Sequence, residues 1–367
     1  MEHKKILLCV PLVLLLLTAC ESEKEAPALT VNPYDDIRAS TWSGDNKSVY
    51  EESDYSRDDI FTFTFNEGTV LKGSEDLQAQ MMEEGKDPGL GVRSIHEQGI
   101  TGAGVHVAII DQNLLTDHPE FAGKIAAYHD TGCETDENRG SMHGPAVTSI
   151  LVGETLGVAP GADVYYAAAP SWKCDSQYYA EGLYWIIEEN KKLPEGEKIR
   201  VVSVSAAPSG PGSPFTENLD MWDEALAAAK DEGILVLDCR SDAETGIIAP
   251  AYYDRAHRED PAMCVGGFPS STYQIPAAQI GAPTSYRTVA EEYSKGSPSY
   301  QYTGQGGLSW GIPYAAGVLA LGWQVNPDLS NEQIVQLLFD TCSTGTNGSN
   351  IVHPTAFIAA VQDTLQP

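Results

Sequence analysis

From about residue 99 onward, short apolar runs alternate with longer stretches of mixed polarity. Residues 105–110 (VHVAII), 163–167 (DVYYA), 199–205 (IRVVSVS) and 234–237 (ILVL) each read as a strand. Between them, residues 180–192 and 218–232 carry apolar positions at helical spacing and predict two amphipathic helices. Strands of this kind, apolar along most of their length and separated by helices, predict a parallel sheet covered on both faces. In such sheets functional residues gather at the carboxyl ends of the strands. Residues 314–323 are apolar all round and predict a fully buried helix. Earlier in the chain, residues 60–65 (IFTFTF) alternate and predict one strand. No internal repeat is present.

The first residues have a different pattern. Lys4 and Lys5 precede an apolar run at 6–17, too short to span a bilayer comfortably, which ends in Leu17-Thr18-Ala19-Cys20. Small residues before a cysteine are similar to a bacterial lipobox. The expectation is a signal peptide over 1–19, lipidation of Cys20 and an extracytoplasmic protein held at the cell membrane by lipid. Residues 20–87 are polar and acidic and are expected to begin as a tether; residues 88–367 are expected to form the main domain. The formal charge of −30 disfavours phosphate backbones, so nucleic acid is not an expected partner. Of seven cysteines, Cys9 leaves with the signal and Cys20 carries lipid. The remaining five are an odd number, so at least one thiol stays free or pairs between chains; no spacing suggests zinc.

Three positions can carry chemistry. Asp111 directly follows the strand at 105–110, where a sheet enzyme places a catalytic group, although alone such a residue is more often a turn or cap. His143 stands before Gly144 and Pro145, a pair suited to the first turn of a helix, and so is expected to open one. Ser309 follows Gly306-Gly307-Leu308 and stands at the N-terminus of the apolar helix, where free N–H groups and the positive dipole end stabilise developing negative charge.

Together these positions resemble a known family. The segment from Gly99 through Asp111 to His118-Pro119 resembles the aspartate motif of the subtilisin-like serine peptidases. Met142-His143-Gly144 resembles their histidine motif, and Gly157-Val158-Ala159-Pro160 their segment before the next strand. The run from Gly307 through Ser309 to Gly317 is similar to their serine motif. The order Asp, His, Ser is also the subtilisin order. The resemblance covers roughly residues 88–362. It implies a subtilisin-like α/β fold in three layers, a mostly parallel central sheet with helices on both faces; a monomer is expected, although the sequence does not fix the oligomeric state. The activity it implies is hydrolysis of peptide bonds in a peptide or protein substrate, with Ser309 as nucleophile, His143 as base and Asp111 orienting the base.

The chain departs from the pattern in places. Pro145 and Ala146 stand where the family usually has Thr and His, and Leu308, Trp310, Gly311, Ile312 and Tyr314 replace five residues around the serine. Aligning the strand at 233–237 puts Asp242 where the family has its oxyanion Asn. An ionised Asp cannot donate a hydrogen bond, and loss of such a donor typically costs about 10²–10³ in turnover. By the same resemblance the substrate strand is expected along Ser205, Ala206 and Ala207, whose small side chains leave the first specificity pocket open. Calcium is frequent in the family, but Glu134, Asp136 and Glu137 show no ligand spacing and read as a solvated loop; no cofactor is expected. No folding propeptide is evident, because residues 21–85 are too acidic and irregular for a compact inhibitor domain. The competing reading is a catalytically silent or very slow relative serving as a binding or scaffold lipoprotein, favoured by Asp242 and the altered serine motif. A solute-binding lipoprotein would need two similar sheet domains, which the ordered motifs argue against.

Overall fold

A computed structural model describes residues 31–39, 47–50, 55–134, 136–240 and 245–366. Its centre is a five-stranded sheet: β1 (His106–Asp111), β2 (Ile125–Asp130), β3 (Asp163–Ala168), β4 (Ile199–Val204) and β5 (Leu235–Leu237). The spatial order is β2-β3-β1-β4-β5 and every pairing is parallel. Helices α1 (His143–Val152), α2 (Gln177–Lys192), α3 (Leu219–Asp231) and α4 (Gly311–Val325) cover it. This is the predicted subtilisin-like α/β architecture. β2, with its alternating half-exposed pattern, is a strand that the apolar-run criterion passed over.

Side-chain alternation along the strands explains the layers. Val107 and Ile109 point into one core, with Val147 and Ile150 of α1 and Val318 of α4. Ala108 and Ile110 point into the other, with Leu183 and Ile186 of α2 and Trp222 and Ala225 of α3. The same alternation directs residue 111 towards α1. In α4, every residue from Gly311 to Trp323 is buried, as the all-round apolar pattern requires.

The N-terminal residues differ from expectation. Residues 60–65 do not form one strand. Ser56 and Asp59 make a reciprocal capping box, which starts a helix at Arg57–Thr62; the chain then extends, and only Phe65–Asn66 join a strand ladder. Local capping outweighs the two-residue alternation. Described residues of the acidic segment are folded onto the body: Phe65–Asn66 pair antiparallel with Ser299–Thr303, and Ile37, Ile60, Phe63, Phe65, Leu71 and Met81 share the larger core. The signal run and Cys20 lie outside the described residues, and no described helix is long and apolar enough to cross a membrane.

If the segment is part of the body, Phe65→Ala costs what a core deletion costs, about 3–5 kcal/mol. Phe65 is fully buried and its ring stacks on Tyr302 at 5.1 Å. Urea unfolding followed by fluorescence should show one transition moved to lower denaturant; an unmoved midpoint refutes the shared core.

Candidate active site

Asp111 is the last residue of β1, inside the strand rather than just after it, and its side chain is 2% exposed. Being odd-numbered like Val107 and Ile109, it faces α1, whose first residue is His143. The Asp111 Oδ1 lies 2.7 Å from His143 Nδ1 and also accepts the Gln112 N–H at 2.8 Å. This bond fixes which imidazole nitrogen carries a hydrogen towards the carboxylate and leaves Nε2 as the free one. Burial alone would lower the His143 pKa; the Asp111 charge and hydrogen bond outweigh it and hold the pKa above its ordinary 6.5.

The approach of α1 to the end of β1 is built from small contacts. Ser141 donates its hydroxyl to the Asn113 carbonyl at 2.7 Å and accepts the Gly144 N–H at 3.1 Å, clamping the helix start to the loop after Asp111. Gly144 lies so close to that loop that a Cβ there would sit 2.4 Å from the Gln112 carbonyl oxygen and 2.7 Å from the Tyr166 hydroxyl. The Tyr166 hydroxyl itself donates to the Gln112 carbonyl. Pro145 and Ala146, where the family pattern differs, are both buried in the first turn of α1.

Ser309 lies in a tight turn, Leu308–Trp310, immediately before α4. Its hydroxyl donates to the Ser205 carbonyl at 3.2 Å, and the Ser205 hydroxyl donates back to the Ser309 carbonyl at 2.8 Å. Among the described residues no hydrogen bond joins Ser309 to His143. Trp310, next to the serine, lays its ring 5.0 Å from the His143 ring at a tilt of 54°. Its indole N–H reaches the Thr303 hydroxyl at 3.4 Å. Ser205 and Ala206 extend β4 at its carboxyl end, and the Cys239 N–H donates to the Ala206 carbonyl at 2.9 Å. Ala207 follows, its carbonyl accepting the Ser213 hydroxyl at 2.6 Å.

The sequence-predicted residues Asp111, His143, Ser309, Ser205, Ala206 and Ala207 thus lie at the carboxyl ends of the central strands and their adjoining helix starts. Asp242 lies outside the described residues. Sequence reasoning missed Ser141 and Cys239. Ser141 was marked only by a serine three residues before the glycine that it binds. Cys239, Cys133, Cys174, Cys264 and Cys342 are all free. Burial raises the Cys239 thiol pKa, while the neighbouring Ser309 side chain pulls the other way. Among the described residues no three His, Cys, Asp or Glu side chains converge to hold a metal ion. Asp136 and Glu137 instead line an open cavity of about 360 Å³ with Arg139 and Lys295.

The subtilase (peptidase S8) family model matches residues 102–353. The chain belongs to the subtilase family. M-protease of Shouchella clausii is 28% identical over 266 residues, 70% of this chain and 63% of its own length. Subtilisin Savinase of Lederbergia lenta is 28% identical over 275 residues, 71% of this chain and 93% of its own. Among solved structures, subtilase cytotoxin SubAB superposes with a TM-score of 0.58 at 14% identity, covering 76% of this chain and 96% of that one. Fervidolysin of Fervidobacterium pennivorans superposes with a TM-score of 0.53 at 18% identity, covering 74% and 45%. The likeness to these structures concerns the fold.

The fit around residue 144 generates a test. Gly144→Ala forces a methyl group against backbone oxygens that belong to the strand end, and should cost about 1–3 kcal/mol. Urea denaturation measures it. A variant as stable as the parent would mean that the helix start has room to move.

Proposed function

We propose that this chain is a serine endopeptidase, exported and anchored to the membrane by lipid on Cys20, that hydrolyses peptide bonds through an acyl-enzyme. The observation that carries the reading is the 2.7 Å Asp111–His143 bond at the end of the central strand, with Ser309 at the start of the buried helix beside it. A substrate strand lies along Ser205, Ala206 and Ala207. In this mechanism the Ser309 side chain turns from Ser205 to His143 Nε2. Its oxygen bonds to the scissile carbonyl carbon as its proton passes to His143. His143 then gives that proton to the departing amine as the C–N bond breaks. Water, deprotonated by His143, releases the acyl group and regenerates Ser309. Asp111 stabilises the imidazolium throughout. Apo arrangements of this kind often tighten only when substrate binds.

The developing oxyanion would be met by the Ser309 N–H, which belongs to the first turn and has no partner within it. By sequence register Asp242 aligns with the family's Asn donor, and it would contribute only when protonated. The family matched over residues 102–353, and relatives named as proteases and subtilisins, support this reading.

Four outcomes are expected. A fluorophosphonate probe should label the detergent-solubilised full chain and lose its target in Ser309→Ala; a folded protein without labelling would instead support a silent binding protein. Asp111→Asn should lower kcat by about 10⁴-fold with little change in KM. The base acts only when neutral, and Asp111 raises its pKa. The acid limb of kcat/KM should therefore be half-maximal above pH 6.5, with activity falling as pH drops through that point. A profile half-maximal below 6.5 would remove Asp111 from its place. Asp242→Asn should raise kcat by about 10²–10³ if a neutral donor is what the oxyanion lacks.

A further inference from the structure

The residue before the base is held by a path that begins outside residues 102–353, the stretch that matches the family. Met142 caps α1 at its N-terminus, and its Sδ accepts the Gln301 side-chain N–H at 3.7 Å. Gln301 lies on the strand Ser299–Thr303, where alternation puts Gln301 and Thr303 on one face and Tyr302 on the other. That face meets the site twice: Gln301 at Met142, and Thr303 at Trp310, whose ring lies against His143. Gln301 is fully buried, and its side-chain oxygen accepts Arg38 Nη1 at 2.5 Å. The other two arms of the Arg38 fork, Nε and Nη2, donate to the Asp36 carboxylate at 2.9 and 2.6 Å. The backbone around Arg38 is tied on both sides. The Ile37 N–H donates to the Thr64 carbonyl at 2.8 Å, and the Ala39 N–H to Asn66 Oδ1 at 3.0 Å. The Ile37 carbonyl accepts Thr69 Oγ1 at 2.9 Å. A planar guanidinium fixed by its backbone and by a carboxylate on two arms presents its third arm in one place. Here that place is Gln301.

We infer that the N-terminal segment is a resident part of the catalytic unit: Arg38, acting through Gln301 and Met142, is a positioning residue for His143, and the enzyme works with this segment in place. The path is short. One hydrogen bond joins Arg38 to Gln301, one joins Gln301 to Met142, and a peptide bond joins Met142 to the base. Ser141 and Gly144 fix the start of α1 against the loop after β1; Gln301 adds a second support, from the strand Ser299–Thr303. Without the arginine, the Gln301 oxygen is a buried acceptor with no donor, and its amide is no longer held in the orientation that meets Met142. A small displacement of a base is costly in rate even when its cause lies far from the reacting atoms. Asp36 offsets the Arg38 charge, so the path transmits position rather than field. The inference rests on the peptidase reading above.

The test uses the full chain in detergent and a fluorophosphonate probe, whose labelling rate against probe concentration gives kinact and KI. Arg38→Met removes the fork and leaves Asp36, half-exposed, in water. Gln301→Leu replaces the amide by an apolar group of similar size. Each should lower kinact about tenfold or more with KI unchanged, under conditions where urea unfolding shows the variant folded. Because Arg38 acts through Gln301, the double variant should label no more slowly than Gln301→Leu alone. Arg57→Met, which breaks the exposed Arg57–Glu84 pair of the same segment, should label as the parent does. Arg38→Met labelling at the parent rate overturns the inference. So do single losses that multiply in the double variant, and so does an equal loss in Arg57→Met. A folded parent that does not label overturns the peptidase reading instead. Intact mass decides the matter even if the variants fail to fold: the labelled parent should keep residues 31–71, and a labelled species that has lost them overturns the inference.

Discussion

The closeness of one helix start to one strand end governs this molecule. Asp111 and His143 are 32 residues apart in sequence, and their bond exists only because α1 docks against the loop after β1 at backbone contact distance. Any side chain at residue 144 would hold the helix away from the Gln112 and Asn113 carbonyls. Ser141 converts that contact into two directional bonds, so the helix is fixed in rotation as well as in distance. The Asp111–His143 bond needs both, because a hydrogen bond weakens steeply with misalignment. The rest of the fold supports this one approach: the parallel sheet brings Asp111 to the carboxyl end of its central strand, and alternation turns it to the right face.

The support reaches further than the central domain. Thr303, which receives the Trp310 indole, lies on the strand Ser299–Thr303, and that strand is paired on its other side by Phe65–Asn66. Asn66 is wholly buried; its amide donates to Ala39 O and to the Glu291 carboxylate and accepts the Ala39 N–H. Burial raises the Glu291 pKa to about 7, although Tyr293, Arg38, Asn66 and Ser299 all pull it down. The acidic N-terminal segment is thus attached to the body through a buried polar cluster as well as through Phe63 and Phe65. It buttresses the strand that holds Trp310 against His143.

Much of the fold was legible because its signals are periodic. Apolar runs located β1, β3, β4 and β5, helical spacing located α2 and α3, and the all-round apolar stretch located α4. Each depends on burial, which composition records directly. What escaped depends on local competition or on distant partners. In residues 56–65 a capping box overrode alternation; its Ser-x-x-Asp signature stands in the sequence four residues before the alternating run. At the site, Asp111, His143 and Ser309 were legible as motif positions. Ser141 was not, because the worth of a serine lies in partners brought from elsewhere, here Asn113. No spacing rule encodes such meetings.

The resting direction of the Ser309 hydroxyl, towards Ser205 rather than His143, does not weaken the catalytic reading. The reciprocal Ser205–Ser309 bonds hold the serine backbone against the end of β4, and α4 behind it, buried from Gly311 to Trp323, removes translation as a degree of freedom. What remains free is one side-chain torsion. Its staggered wells interconvert in picoseconds to nanoseconds, far faster than the roughly 10 s⁻¹ turnover usual for enzymes. In the proposed mechanism a substrate N–H takes over the Ser205 carbonyl and the hydroxyl turns to His143. In that reading the same carbonyl serves the serine before binding and the substrate after it.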